Sequence, residues 1–176
     1  MNYRAMRDER KDVDIILTVD ELVRSVEVEG ELIAESIVSD DAHARNIYRD
    51  IVADDIKREK VIRCMKLAMD ELNDKLFPYS KRVIRYPQIV VSDMVSQKEI
   101  FRLVLNVPMT MSETTVEYLR TLGHEYVVAR VLEEWARTSM PDTLATRMAV
   151  VDDISNKISA AKDRRMRTVR RRLSTY

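Results

Sequence analysis

Few residues of this 176-residue chain have the types and spacing for chemistry. His124 stands beside Glu125, the residue types of acid–base work. Neighbours in sequence point to different sides of a helix, so the spacing predicts no dyad. Asp40 and His43 have the three-residue spacing that a metal site wants on one helical face. In a chain with 30 acids such spacing also arises without function, and ordinary surface or satisfied residues are the simpler reading of both histidines. Cys64 lies among apolar positions and reads as a small core residue rather than a nucleophile. Paired aspartates at Asp40-Asp41, Asp54-Asp55 and Asp152-Asp153 have the chemistry of two-metal ligands, but solvated helix termini explain them more simply. No Ser–His–Asp arrangement follows from the spacing. The expectation is a protein that is not an enzyme, with no catalytic residue, cofactor or metal ligand.

Composition narrows the elements that position these residues. One cysteine excludes a disulfide framework and multi-cysteine zinc sites. Two glycines, Gly30 and Gly123, exclude a P-loop and a dinucleotide-binding fingerprint. A chain of this length buries roughly 70% of its unfolded surface as one domain. No apolar run nears the ~20 residues that span a bilayer, so no membrane partner is expected. The first residues, MNYRAMRDERKD, are charged where a signal peptide is apolar, which points to synthesis and residence in a cytoplasm.

Thirty basic residues balance thirty acids, yet the charge is segregated. Between Lys162 and Arg172 lie seven bases and one acid, Asp163. On a continuing helix Arg164, Arg167 and Arg171 share a face, while Arg165 and Arg172 fall across an apolar seam; Arg170 completes the set. These six arginines are candidates for contact with DNA phosphates or with an acidic patch on a protein partner. A solvated helix end, its cations favoured by the helix dipole, is the simpler alternative.

The pattern of the chain is mainly helical. Val13, Ile15, Ile16 and Leu17 form a short apolar run of undefined structure. Thr18 and Glu21 have capping-box spacing for a helix to about Ser39, in which Gly30 costs ~1 kcal/mol relative to alanine. A second helical stretch runs from about Asp41 to Phe77, breaks near Asp54, which can cap a new helix, and stops at Pro78. Val83 to Val91 and Phe101 to Val107 have strand patterns and predict a β-hairpin. Ser112 caps a helix to about Thr138. Pro141 and Asp142 mark a turn, and a last helix runs from Leu144 into the basic tail. The predicted class is a helical bundle with one inserted hairpin (α-α-β-β-α-α), with α+β as the minor alternative. Residues 1–40 read as an arm and helix that reach a neighbouring subunit, 41–161 as the body with its hairpin at about 83–107, and 162–176 as a basic tail.

A lone hairpin is marginal in water and needs cover. Phe101, Leu103 and Leu105 on the strand, with Met109 and Met111 after it, are therefore candidates for a subunit interface. The other methionines read chiefly as core filler. Trp135, beside Val131 and Leu132, reads as core rather than as a partner's anchor.

The chain resembles small structural proteins from the head–tail and tail gene clusters of tailed phages and prophages of Bacteroidales. The likeness covers about residues 45–176. It rests on MKLAM at 65–69 leading to LFPY at 76–79, on FRLVLNV at 101–107, on YVVARVLEEW at 126–135 and on VRRRL at 169–173. It implies a non-enzymatic virion protein made in the host cytoplasm: a head–tail connector or neck subunit between the portal side and the tail. The implied partners are copies of itself in a homo-oligomeric ring, twelvefold by analogy, the portal or adjacent neck and tail proteins, and DNA passing through the channel. The alternative from the residues themselves is a small nucleic-acid-binding accessory protein that uses the arginine-rich helix.

Overall fold

Local capping starts three of the helices where the sequence has the residues for it. A computed structural model describes residues 10–36, 42–80 and 100–164. Strand β1, Arg10–Thr18, runs directly into helix α1, Val19–Ser36. At that junction Thr18 Oγ1 accepts from Glu21 N–H at 3.4 Å and donates to the Glu21 carboxylate at 3.3 Å. Helix α2, Ala42–Arg49, is short. Helix α3, Asp55–Lys75, opens on Asp54, whose Oδ1 accepts from Lys57 N–H at 2.7 Å. Its last turn closes on Leu76, and Lys162 donates to the carbonyl of Lys75 at the helix end and to that of Phe77 just beyond it. Strand β2, Ile100–Pro108, leads to helix α4, Glu113–Ser139, where Ser112 Oγ accepts from Thr115 N–H at 3.1 Å. Helix α5, Pro141–Lys162, follows after a single residue. Pro141 is not in a turn between helices, as its sequence setting predicts, but at the first helical position. There its missing N–H costs nothing.

The molecule is mainly α-helical, and among the described residues it has one antiparallel strand pair, as the pattern predicts. In that pair the partner of the second predicted strand comes from far along the chain. β2 pairs with β1, in a register that sets Ile15 opposite Leu103 and Leu17 opposite Phe101. The predicted first strand, residues 83–91, lies outside the described residues. Residues 10–36 are correspondingly part of the body. Ile15, Leu17, Leu22, Val23 and Val26 enter the common core.

Helix α4 is the axis of that core. It packs on α5, α3, α1 and β1 and is buried on nearly every side, from Val116 through Tyr126 to Trp135. A helix apolar on so many faces must lie inside a bundle. The strand pair turns Phe101, Leu103, Leu105 and Val107 inward. On its wet face Arg102 pairs with Asp14, and Asn106 donates to Asp12 at 2.7 Å. The Asn106 N–H also donates to the Tyr79 carbonyl at 2.8 Å, which ties the end of α3 to the strand.

Candidate functional site

Three polar arrangements stand out between the helices. The first joins α3 to α4. Tyr126 donates to Glu71 at 2.9 Å, and Arg130 grips the same carboxylate through both Nε and a terminal nitrogen, at 2.8 and 2.7 Å. The other arm of Arg130 reaches Glu133, which Arg137 also meets at 2.9 Å. Glu133 is the one buried charged side chain among the described residues. Desolvation is the strongest influence on Glu71 and raises its pKa. The hydrogen bonds from Arg130 and Tyr126 outweigh it and hold the carboxyl below the usual glutamate range. Burial, then the bond to Glu71, pushes the Tyr126 hydroxyl far above the usual tyrosine value. The Glu71 bond likewise raises the Arg130 guanidinium. Glu71, Tyr126 and Arg130 are each stabilised in the charge state they already hold at neutral pH, as suits a fixed crosslink between the helices.

The second arrangement has the residue types of a hydrolytic triad. Ser25 Oγ on α1 lies 3.2 Å from His124 Nε2 on α4, and His124 Nδ1 lies 3.6 Å from Glu125 Oε1. The sequence spacing excludes this His–Glu contact. The structure supplies it between sequence neighbours, and Ser25 arrives from another helix. Ser25 also donates to the Glu21 carbonyl at 3.0 Å, one turn back. It sits inside α1, where the surrounding N–H groups are committed to the helix and none can meet an oxyanion. The contact therefore works as a polar clamp between α1 and α4.

The third is a cleft of about 100 Å³ between α1, α4 and α5. Val128, Ala129, Leu132 and Ile154 line it with apolar surface, and Glu29, Glu125 and Arg147 supply charge. Arg147 Nε is enclosed without a hydrogen-bond partner among the described residues.

The sequence candidates fall in different places. Phe101, Leu103, Leu105 and Met111 are buried in the protein's own core, so they are not available as a subunit interface. Their cover is β1 and the helices, which removes the need for a neighbour. Met109 stays 44% exposed. Arg164 stacks its guanidinium over the Tyr118 ring at 5.5 Å. Arg165, Arg167, Arg170, Arg171 and Arg172 lie outside the described residues, as do Asp40, Asp41 and the side chain of His43. Asp54 is a helix cap, and Asp153 pairs with Lys157 on the next turn. Among the described residues no three His, Cys, Asp or Glu side chains are grouped to hold a metal. Cys64 is half-buried and packs against the core. Trp135 is buried and donates to the Ile47 carbonyl at 3.2 Å. No helix among the described residues is long and apolar enough to cross a membrane.

The Glu71–Arg130 crosslink and the cleft escape sequence reasoning. Their members are ordinary charged and apolar residues on helices whose neighbours are set by packing. Compared with family models, curated proteins and solved structures, the chain matches none of them.

Proposed function

We propose that the protein is a non-enzymatic structural subunit of a virion, a head–tail connector or neck component that joins the portal side to the tail. The observation that supports this best is charge segregation on a crosslinked helical body. Helix α1 carries six acids (Asp20, Glu21, Glu27, Glu29, Glu31 and Glu35) against Arg24 alone. The stretch from Lys162 to Arg172 carries seven bases against Asp163. Acidic and basic regions segregated within one chain suit head-to-tail contacts, which close into rings when the rotation per subunit allows. The resemblance to phage neck proteins supplies the setting.

Native mass measurement on the purified chain tests the reading. The expected result is a discrete ring, twelvefold by analogy. A chain that stays monomeric and is absent from particles overturns it. Portal and capsid genes beside the coding sequence would support it, whereas metabolic genes would count against it. Duplex-DNA binding that falls steeply with salt and is lost on Arg170→Ala, Arg171→Ala and Arg172→Ala would favour the nucleic-acid accessory reading instead.

A further inference from the structure

We infer that the cleft between α1, α4 and α5 is the docking site for residues 165–176 of a neighbouring copy of this chain. This deepens the assembly reading and rests on it for the expectation that copies associate.

The cleft is apolar below and acidic beside. Val128, Ala129, Leu132 and Ile154 face it. Val150, in the lining, is 41% exposed, and on α1 Val28 and Leu32 flank the lining residue Glu29 in sequence, at one and three positions, and are 49% and 54% exposed. Glu29 and Glu125 stand in the lining. Along α1 Glu27, Glu29, Glu31 and Glu35 are all exposed, and none makes an ion pair among the described residues. An apolar floor beside α1 carboxylates that make no ion pair among the described residues calls for an amphipathic, basic occupant.

Residues 165–176 have that composition. Met166, Val169 and Leu173 recur at steps of three and four, the spacing of one helical face, and Arg165, Arg167, Arg170, Arg171 and Arg172 surround them. Arg147 is the one cation in the cleft, and its enclosed Nε needs an acceptor that an incoming carbonyl or the hydroxyl of Ser174 or Thr175 provides.

Direction decides between the chain's own segment and a neighbour's. The cleft takes Arg147, Val150 and Ile154 from the first half and middle of α5. The helix then runs away from it for about two further turns, to Lys162 against the end of α3 and Arg164 over Tyr118. Docking on the same body requires the chain to turn back along α5, and residues 164–176 contain no glycine or proline, the residues that most readily make such a turn. A neighbouring copy needs no reversal. The resulting contact joins one surface to a different one, as a ring or filament requires.

Two full-chain variants and one peptide test this. Glu29→Arg with Leu32→Asp alters the cleft at exposed positions. Arg167→Glu with Val169→Asp and Arg171→Glu alters the segment. Each variant alone should self-associate at least about tenfold more weakly than the wild type. Mixed in equal amounts they should form heterodimers and stop there, because one cleft and one segment remain intact. A labelled peptide of residues 163–176 should bind the segment variant in a salt-dependent way, fail to bind the cleft variant, and in excess dissociate the wild-type assembly. Wild-type assembly that both variants retain, with no peptide binding, overturns the docking site and leaves the assembly reading standing. Peptide binding to a wild-type chain that never associates shows that the cleft can take the segment but does not take it from a neighbour, and overturns the neighbour as occupant together with the assembly reading.

Discussion

Arg130 meets Glu71 through two parallel hydrogen bonds, at 2.8 and 2.7 Å, across the interface of α3 and α4. The fork geometry fixes both the distance and the rotation of the two helices, which a lysine cannot do. Because Arg130 also serves buried Glu133, its loss and that of Glu71 are unequal. Arg130→Met should cost about 2–3 kcal/mol, less than fully stranding a buried charge because Arg137 still reaches Glu133. Glu71→Gln should cost about 1 kcal/mol, since the Glu71 side chain is 42% exposed and water screens the pair. Chemical denaturation of both variants checks the order.

The acid limb of stability follows from the same pair. The folded pKa of Glu71 is depressed below its unfolded value, so its contribution is present above the unfolded value of about 4.3 and is lost as pH falls through the folded value. The wild type should therefore exceed Glu71→Gln in stability at pH 7 and lose that margin progressively as the pH falls through and below the usual glutamate range. Urea midpoints of the two proteins across a descending pH series measure the margin. A margin independent of pH would assign Glu71 a packing role instead.

Glycine-to-alanine changes should separate the two glycines. Helix propensity alone says that Gly30→Ala stabilises α1 by ~1 kcal/mol. A Cβ at Gly30 would lie 2.8 Å from the Tyr48 carbonyl oxygen, where α2 crosses close to α1. The change should therefore lower the melting temperature. At Gly123 the added Cβ meets a Leu72 methyl at 3.2 Å, the end of a side chain that can turn aside. Gly123→Ala should be neutral or raise the melting temperature slightly. Thermal unfolding of the two variants should give shifts of opposite sign or clearly unequal size.

Cys64 should react slowly. Burial raises its thiol pKa and the nearby Glu134 adds to that, which leaves little thiolate at neutral pH. Labelling by an aromatic disulfide reagent at pH 8 should be at least about tenfold slower in the native chain than in denaturant. Equal rates would place Cys64 on an open, mobile surface.

Much of the fold was legible because helix signals are local. Asp54 and Ser112 cap the helices that their positions announce, since the side chain and the N–H it accepts from are three residues apart. The periodicity of Val61, Met65, Ala68 and Leu72 marks the face of α3 that is buried, because that face returns every three or four residues. The alternation of Phe101, Leu103, Leu105 and Val107 marks β2 and its inward side for the same reason.

Tertiary structure alone decided what those faces meet. The alternation of β2 names no partner, and nearness in the chain suggested residues 83–91. The structure pairs it with Arg10–Thr18, a strand about ninety residues away that enters α1 without a turn, while residues 83–91 lie outside the described residues. Val13, Ile15 and Leu17 carry the alternation that marks this strand, but Ile16 among them blurs the pattern. That pairing moved Leu103 and Leu105 from a supposed interface into the core. Ser25 reaches His124, and Glu71 reaches Arg130, for the same reason. A residue's type and its neighbours in sequence set which side it buries or wets, while distance across the bundle depends on how helices dock. Gly30 shows the difference on a single atom: its helical cost is readable from its name, and the carbonyl that requires it belongs to another helix.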